Sequence, residues 1–161
     1  MTLNSHSTAT NAVTLLSQVE WVDTDAAGHH HNSAIMRWVE AAEAEMMRLA
    51  ALPEYFPSAP RVHQSIDFSS KLTFGQTIRT RLWIERVGTT SLTFRFDTAG
   101  RSTESPHNWT PAAAGSLVTA HVPLGATRSA PWPREWRTAL APYCAPAENA
   151  CTPTAAESNL R

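Results

Sequence analysis

The longest periodic segment of the chain, NSAIMRWVEAAEAEMMRLAAL (residues 32–52), predicts an amphipathic helix. Its apolar residues recur at intervals of three and four, which places them on one helical face. Asn32 or Ser33 can cap the first turn, because a short polar side chain there accepts a backbone N–H. Pro53 then ends the helix. The predicted apolar face comprises Ile35, Trp38, Val39, Ala42, Met46 and Leu49.

Five other segments predict β-strands. Residues 12–22 are rich in β-branched and apolar side chains, and four later segments alternate apolar with polar positions. The connections at 75–76 and 87–89 are short enough for hairpins or bends, so consecutive strands should be antiparallel. The polar connection 100–111 is expected to be mobile, and 133–141 predicts a short helix opened by a proline. The four alternating segments are 61–74, 76–87, 90–99 and 114–124.

One long helix among consecutive antiparallel strands predicts an α+β fold, with the helix packed against one face of the sheet. The helix residues expected to face the sheet are Trp38, Val39, Ala42, Met46 and Leu49. Such a sheet leaves an open edge, and pairing that edge with a second copy extends the sheet across a two-fold axis. We therefore expect a homodimer or a homotetramer built from dimers.

Length and composition support one folded domain. The chain has 161 residues, of which 42% are hydrophobic and 17% charged, and its net charge is −1. This balance gives no reason to expect nucleic acid or a membrane as partner. The first twelve residues lack the features of a secretory signal, so a cytoplasmic protein is expected. The predicted organisation is a disordered segment 1–12, a domain 13–140 and a disordered tail 141–161, and a disulfide or zinc site is not expected from Cys144 and Cys151 in that tail.

The segment VDTDAAGHHHN (22–32) holds the candidate chemistry, because it joins a predicted strand to the start of the long helix. Asp23 and Asp25 form a possible acid/base pair, and Gly28 permits a sharp turn into the helix. A carboxylate beside free N–H groups is the minimum equipment for acyl transfer, and a thioester suits it because the thiolate leaves without a strong general acid. Asp25 is the better candidate since it lies nearer the turn. The alternative is that both aspartates only cap the helix or form Asx turns.

The three adjacent histidines do not have the spacing of a metal site. His29 is a candidate to contact Asp25 and hold it deprotonated. His30 and His31 are candidates to line an acyl pocket. We therefore expect no metal and no organic cofactor.

The segment DTDAAGHHHNSAIMRWVEAAE resembles the 4-hydroxybenzoyl-CoA thioesterase-like group of hotdog-fold proteins. The group's signature runs Asp-x-Asp-x-x-Gly, often followed by His-x-Asn-Asn and an aromatic residue before an acidic one. The strand pair around Phe74-Gly75-Gln76 and Val87-Gly88 also resembles the group, although Gln76 replaces its usual aspartate and Ile35 its frequent tyrosine. The signature positions here are Asp23, Asp25, Gly28, His29, Asn32, Trp38 and Glu40.

The resemblance implies an antiparallel five-stranded sheet wrapped around one long helix, and hydrolysis of an acyl-CoA or acyl-carrier-protein thioester. Asp25 matches the catalytic carboxylate, with Gly28 and the residues after it supplying amide donors and His29 assisting. Coenzyme A is then part of the substrate. The remaining expected substrate-binding residues are Asp23, His30, His31, Asn32 and Ser91.

Two alternatives remain open. His30 follows Asp25 by five residues, the spacing of Asp-x4-His in the hydratase branch of the same fold, so an enoyl-CoA hydratase or dehydratase is one. A non-catalytic acyl-ligand-binding protein is the other, although such a protein has no need of a carboxylate directed at a thioester.

Overall fold

The computed structural model describes residues 11–145, and its elements follow the predicted order. The chain begins with strand β1, a short 3-10 turn at Trp21–Asp23 and the long helix α1. A short helix α2 then leads into four strands, and helix α3 follows the last of them. The elements are β1 (Val13–Gln18), α1 (Asn32–Leu49), α2 (Tyr55–Ser58), β2 (Arg61–Phe68), β3 (Thr77–Val87), β4 (Ser91–Arg101), β5 (Thr110–Ala120) and α3 (Arg134–Leu140).

The five strands form a single sheet in the order β1-β3-β4-β5-β2, and every neighbouring pair is antiparallel. The predicted α+β class and hotdog fold are therefore confirmed. Strands β1 and β2 occupy the two edges. The predicted bounds of the last strand were wrong: it begins at Thr110, so the loop before it is shorter than 100–111. Its alanine-rich start is a weak strand former, and pairing with β4 overrides that weakness.

Helix α1 packs its apolar face against the sheet, as the periodicity predicts. Ile35, Val39, Ala42 and Met46 are fully buried. Leu49, however, is 51% exposed. It is the last helical residue, and the chain turns away after it through Ala51, which has a positive φ of 55°. Burying this face supplies most of the driving force that holds the helix to the sheet.

Residues 141–145 pack against the sheet, although the sequence assigns them to a disordered tail. Ala141–Tyr143 form a 3-10 turn, and the amide of Ala145 donates to the carbonyl of Ile84 at 2.9 Å. Cys144 is buried in the core cluster. The amide side chain of Asn11 donates to the carbonyl of Cys144 at 2.9 Å. Local composition does not reveal such long-range contacts. The rest of both predicted disordered segments, including Cys151, lies outside the described residues.

The two sheet edges carry exposed apolar side chains. Val62 and Phe68 are exposed on β2, and Leu16 is exposed on β1. Among residues 11–145, no helix is long and apolar enough to cross a membrane.

Candidate active site

The candidate site is a tight turn between β1 and α1, closed by backbone hydrogen bonds on both sides. The amide of Asp25 donates to the carbonyl of His29, and the amide of Gly28 donates to the carbonyl of Asp25, both at 3.0 Å. Gly28 has a φ of +79°, a conformation that other residues adopt only with strain. The turn is tied to the connection after β2 by an antiparallel bridge between His29 and Thr73. These contacts fix the position of the Asp25 backbone.

The Asp25 carboxylate is held at one oxygen and open at the other. Its Oδ1 accepts the amide of Ala27 at 2.8 Å, which is an Asx turn. No hydrogen-bond partner of Oδ2 lies within residues 11–145, and the side chain is 35% exposed. The Nδ1 of His29 lies 3.9 Å from Oδ1, too far for a hydrogen bond but close enough for charge attraction when His29 is protonated. The Asx turn thus orients the carboxylate without using its second oxygen.

Asp23 does not share this site. It lies in the 3-10 turn, where it is buried, and its Oδ2 accepts the amide of Glu20 at 2.9 Å. Its Oδ1 forms an ion pair with Arg37 on α1. Asp23 and Asp25 therefore do not act as the expected acid/base pair: Asp23 is occupied by the Glu20 amide and Arg37, although Thr24 between the two aspartates is extended. Arg37, which the sequence pattern did not single out, is the partner that holds Asp23.

The amides that follow Asp25 differ in their availability. The Gly28 amide is used within the turn, and the His30 amide donates to the carbonyl of Leu72 at 2.7 Å. Between them, the amide of His29 has no acceptor among the described residues, and the same holds for Asn32 at the start of α1. The amide of Ala26, directly after Asp25, likewise has no acceptor among the described residues. Of these free donors, the His29 amide lies between the two amides that close the turn, and it is the candidate to bind a substrate carbonyl.

His31 caps α1, a role that the sequence assigned to Asn32 or Ser33. Its Nδ1 accepts the Ser33 amide at 3.2 Å and is 2.8 Å from the Ser33 hydroxyl. His31 and Asn32 are both exposed. A ring nitrogen with a free lone pair can accept a backbone amide as the oxygen of an asparagine side chain does. His31 therefore takes the N-cap position that the sequence assigned to Asn32 or Ser33.

His30 is the buried histidine of the three. Its Nδ1 accepts the amide of Leu72 at 3.1 Å, and its ring lies near Trp38 and Phe68 at centroid distances of 6.1 and 6.3 Å. The pKa of His30 is lowered, first by burial and then by the nearby His29. Its Nε2 is buried without a hydrogen-bond partner among the described residues.

Ser91 lies far from this turn within one chain. It begins β4, whereas Gly100 near the other end of that strand faces Leu72, the residue that clamps His30. Nine residues of strand separate the two points, roughly 30 Å along the chain at about 3.3 Å per residue. One copy of the chain therefore does not bring Ser91 to Asp25.

A second polar cluster lies deeper along α1. Glu43 is 2% exposed, accepts the Tyr55 hydroxyl at 3.0 Å and pairs with Arg61 at 2.8 Å. The Tyr55 hydroxyl also lies 2.9 Å from the hydroxyl of Thr119. Burial raises the pKa of Glu43. The sequence places Glu43 on the helix but does not show its partners, because Tyr55 and Arg61 lie 12 and 18 residues further along the chain.

No group of three or more histidine, cysteine, aspartate or glutamate side chains is placed to hold a metal ion within residues 11–145. His29, His30 and His31 point to three different partners. Adjacent residues of an irregular segment diverge in direction, which explains why a run of histidines does not form one ligand set.

Residues 27–98 match the sequence model of the thioesterase superfamily. Among solved structures, the fold is similar to a predicted thioesterase from Bacillus stearothermophilus, at 24% identity and a TM-score of 0.73 over 83% of this chain and 96% of that one. A 1,4-dihydroxy-2-naphthoyl-CoA thioesterase from Synechocystis is similar at 20% identity and a TM-score of 0.70, over 81% and 96% of the two chains.

The 4-hydroxybenzoyl CoA thioesterase from Pseudomonas sp. strain CBS-3 is similar at 15% identity and a TM-score of 0.71, covering 80% of this chain and 98% of that one. The search of curated proteins gave no match to the chain. At these identities the solved structures establish the hotdog fold. The match to the thioesterase superfamily covers residues 27–98 and indicates the class. The predicted resemblance and the predicted enzyme class, a thioester hydrolase, are confirmed.

Proposed function

We propose that this protein hydrolyses an acyl-CoA or acyl-carrier thioester to a free acid and a thiol, with Asp25 as the reacting carboxylate. One observation supports the proposal. The Asp25 carboxylate is oriented through Oδ1 and has no partner at Oδ2 among the described residues, and the free amide of His29 lies four residues away on the same turn. The family match over residues 27–98 is consistent with this chemistry. Asp25 lies just before that match, and its assignment rests on the Asp-x-Asp-x-x-Gly pattern of the sequence.

In this mechanism the thioester carbonyl oxygen accepts the His29 amide, which stabilises the negative charge that develops on that oxygen. Gly28 contributes by its conformation, since its own amide closes the turn. Two routes fit the open Oδ2 of Asp25. In one, Oδ2 bonds to the carbonyl carbon, the C–S bond breaks, and water hydrolyses the mixed anhydride. In the other, Asp25 takes a proton from water, hydroxide adds to the carbon, and the departing thiolate is protonated.

The other predicted site residues have supporting parts in this proposal. Asp23 fixes the turn through Arg37, and His31 fixes the helix start. His29 places its Nδ1 3.9 Å from Oδ1 of Asp25 and so lies beside the reacting carboxylate. Asn32 offers a second free amide near the turn. The reaction as written uses no metal and no organic cofactor.

We also propose that the working form is a homodimer or homotetramer. The outer edge of β2 carries no strand partner among the described residues, and its exposed Val62 and Phe68 are the apolar side chains that a second copy would cover. Phe68 lies against His30, so this edge borders the candidate site. A second copy is also the means by which Ser91 can reach a thioester bound at Asp25.

The geometry gives less support to a hydratase. A histidine acts as general base through a ring nitrogen with a free lone pair. In His30, Nδ1 already accepts the Leu72 amide, so neutral His30 carries its proton on Nε2 and has no free lone pair. His30 is thus arranged as a hydrogen-bond donor.

The testing experiment is thiol release from a panel of acyl-CoA and acyl-carrier thioesters, in buffer containing a chelating agent. Wild type should release thiol, and Asp25→Asn should lose at least a thousandfold in kcat/KM while retaining its fold. Asp25→Asn keeps the oxygen that accepts the Ala27 amide, so the turn is preserved. Equal turnover by the variant would contradict the proposal. An absence of release by wild type, with tight binding of the acyl thioesters, would favour the ligand-binding alternative.

A further inference from the structure

The Nε2 atom of His30 is a buried hydrogen-bond donor that the described chain leaves without an acceptor. Its tautomer follows from the contact at the other ring nitrogen: the Leu72 amide donates to Nδ1, so in the neutral ring the proton lies on Nε2. Burial lowers the pKa of His30, which favours this neutral form. A buried donor without an acceptor costs free energy, and native proteins contain few such groups.

The neighbouring aromatic rings do not satisfy this donor. The imidazole plane is tilted by 33° from that of Trp38 and by 36° from that of Phe68. An N–H group lies in the plane of its own ring, so it would point at the face of a neighbouring ring only if the two planes were close to perpendicular. The contacts are apolar packing, and the donor remains open.

The position of the His30 ring suits contact with the acyl group of a bound thioester rather than with its reacting carbonyl. His29 and His30 are consecutive, and they point in different directions: the His29 ring faces Asp25, whereas the His30 ring lies beside Trp38. Trp38 is six residues into α1 from Asn32, about 9 Å along the helix at 1.5 Å per residue. The His30 ring is therefore buried beside the first turns of α1, one residue from the His29 amide, and an acyl group whose carbonyl is held by that amide would extend toward it.

We infer that His30 is a specificity-determining residue whose Nε2–H donates to an oxygen atom on the acyl group, so that the preferred substrate is an oxygen-bearing acyl thioester. A hydroxyl or keto group would serve as this acceptor. The inference rests on the proposed function. Trp38 and Phe68 supply the apolar walls of this acyl site, an arrangement typical of small-molecule sites in which a few polar groups fix the ligand. Phe68 is 48% exposed on edge strand β2, so this wall is open to solvent on one side.

Two substitutions of His30 test the acceptor role of Nδ1 and the donor role of Nε2 separately. In His30→Asn, the side-chain oxygen takes the place of Nδ1 and continues to accept the Leu72 amide, but the donor at the Nε2 position is lost. In His30→Gln, the longer amide restores a donor near that position. The fold of each variant is checked by circular dichroism and thermal unfolding.

The experiment measures kcat/KM for matched thioester pairs that differ by one oxygen: butanoyl-CoA with 3-hydroxybutanoyl-CoA, and benzoyl-CoA with its 2-, 3- and 4-hydroxy derivatives. Wild type should prefer at least one oxygenated member by roughly ten- to hundredfold, as expected where a site loses a hydrogen-bond partner. His30→Asn should abolish that preference, mainly through KM for the oxygenated member, because a contact remote from the reacting carbon binds ground and transition states alike. His30→Gln should restore part of it.

The possible failures are distinguishable. Equal turnover of both members of every pair by wild type, as expected if a buried water is the acceptor, overturns the inference and leaves the thioesterase proposal standing. A preference that persists in His30→Asn also overturns the inference alone. No release from any thioester by wild type overturns the proposed function and the inference together.

Discussion

Asp23 and Arg37 form an ion pair that ties the 3-10 turn before the candidate site to the first two turns of helix α1. Only 6% of the Asp23 side chain is exposed, whereas 47% of Arg37 is. Removing the carboxylate leaves the Glu20 amide and a guanidinium without their partner. Asp23→Ala should therefore lower the free energy of unfolding by about 2 kcal/mol, the cost of unsatisfied partly buried polar groups. Urea unfolding measures this change.

Asp25→Ala is the matched control for that measurement. Asp25 is more exposed and makes one side-chain hydrogen bond, so its loss should cost less than about 1 kcal/mol. A larger destabilisation by Asp25→Ala than by Asp23→Ala would contradict the division of the two aspartates into a structural and a reacting residue.

An anhydride route in which water attacks the Asp25 carbon can be detected from the position of an oxygen isotope. In a single turnover in H₂¹⁸O with excess enzyme, attack of water on the acyl carbon puts the heavy isotope in the product acid. An anhydride route in which water attacks the Asp25 carbon instead labels the aspartate, and the acid released in the first turnover then carries no label. Mass spectrometry of the peptide containing Asp25 detects that label, and an unlabelled peptide after many turnovers excludes attack at that carbon.

Arg61 joins two glutamates of different burial, which makes a controlled comparison possible. It pairs with buried Glu43 and with exposed Glu40, both at 2.8 Å. Arg61→Ala should destabilise the protein by about 3 kcal/mol, because it leaves a buried carboxylate unpaired. Glu40→Ala should cost under about 1 kcal/mol, since an exposed ion pair is worth little. Similar losses in the two variants, measured by urea unfolding, would refute the role assigned to burial.

Burial raises the pKa of Glu43 above its ordinary value of 4.5, and this shift predicts a pH dependence of stability. The folded state then binds the Glu43 proton more tightly than the unfolded state does. The resulting stabilisation is present below pH 4.5 and is lost as pH rises through the higher folded pKa. Glu43→Gln keeps an acceptor for Tyr55 and cannot ionise. Its stability relative to wild type should rise between pH 4 and pH 7, and a constant difference would contradict the predicted shift.

The proposed dimer edge can be tested with two equally exposed residues on opposite edges of the sheet. Val62 on β2 and Leu16 on β1 are each 61% exposed. Val62→Glu should lower the mass measured by light scattering toward that of one chain, because it buries a charge in the proposed interface. Leu16→Glu should leave the mass unchanged. The opposite pattern would move the interface to β1.

The hydrophobic pattern determined the main elements because it records which faces must leave water. The three- and four-residue spacing from Ile35 to Met46 and the two-residue alternation after Arg61 depend on local geometry alone. Element bounds were less predictable, as the early start of β5 and the exposed Leu49 show, because pairing partners and sheet curvature decide them. The motif around Asp25 and Gly28 also identified the turn before any contact was known.

Only the tertiary structure decided which residues of that turn work together. Asp23 and Asp25 are equivalent by spacing, yet Arg37 draws one into the interior and the Asx turn leaves the other open. His30 became a buried donor because Leu72, 42 residues away, occupies its second nitrogen. The sequence shows which side chains can donate or accept a hydrogen bond. Whether two of them form a hydrogen bond or an ion pair depends on their distance and direction in space. Those are set by the long-range packing of the sheet, the helix and the connections between them.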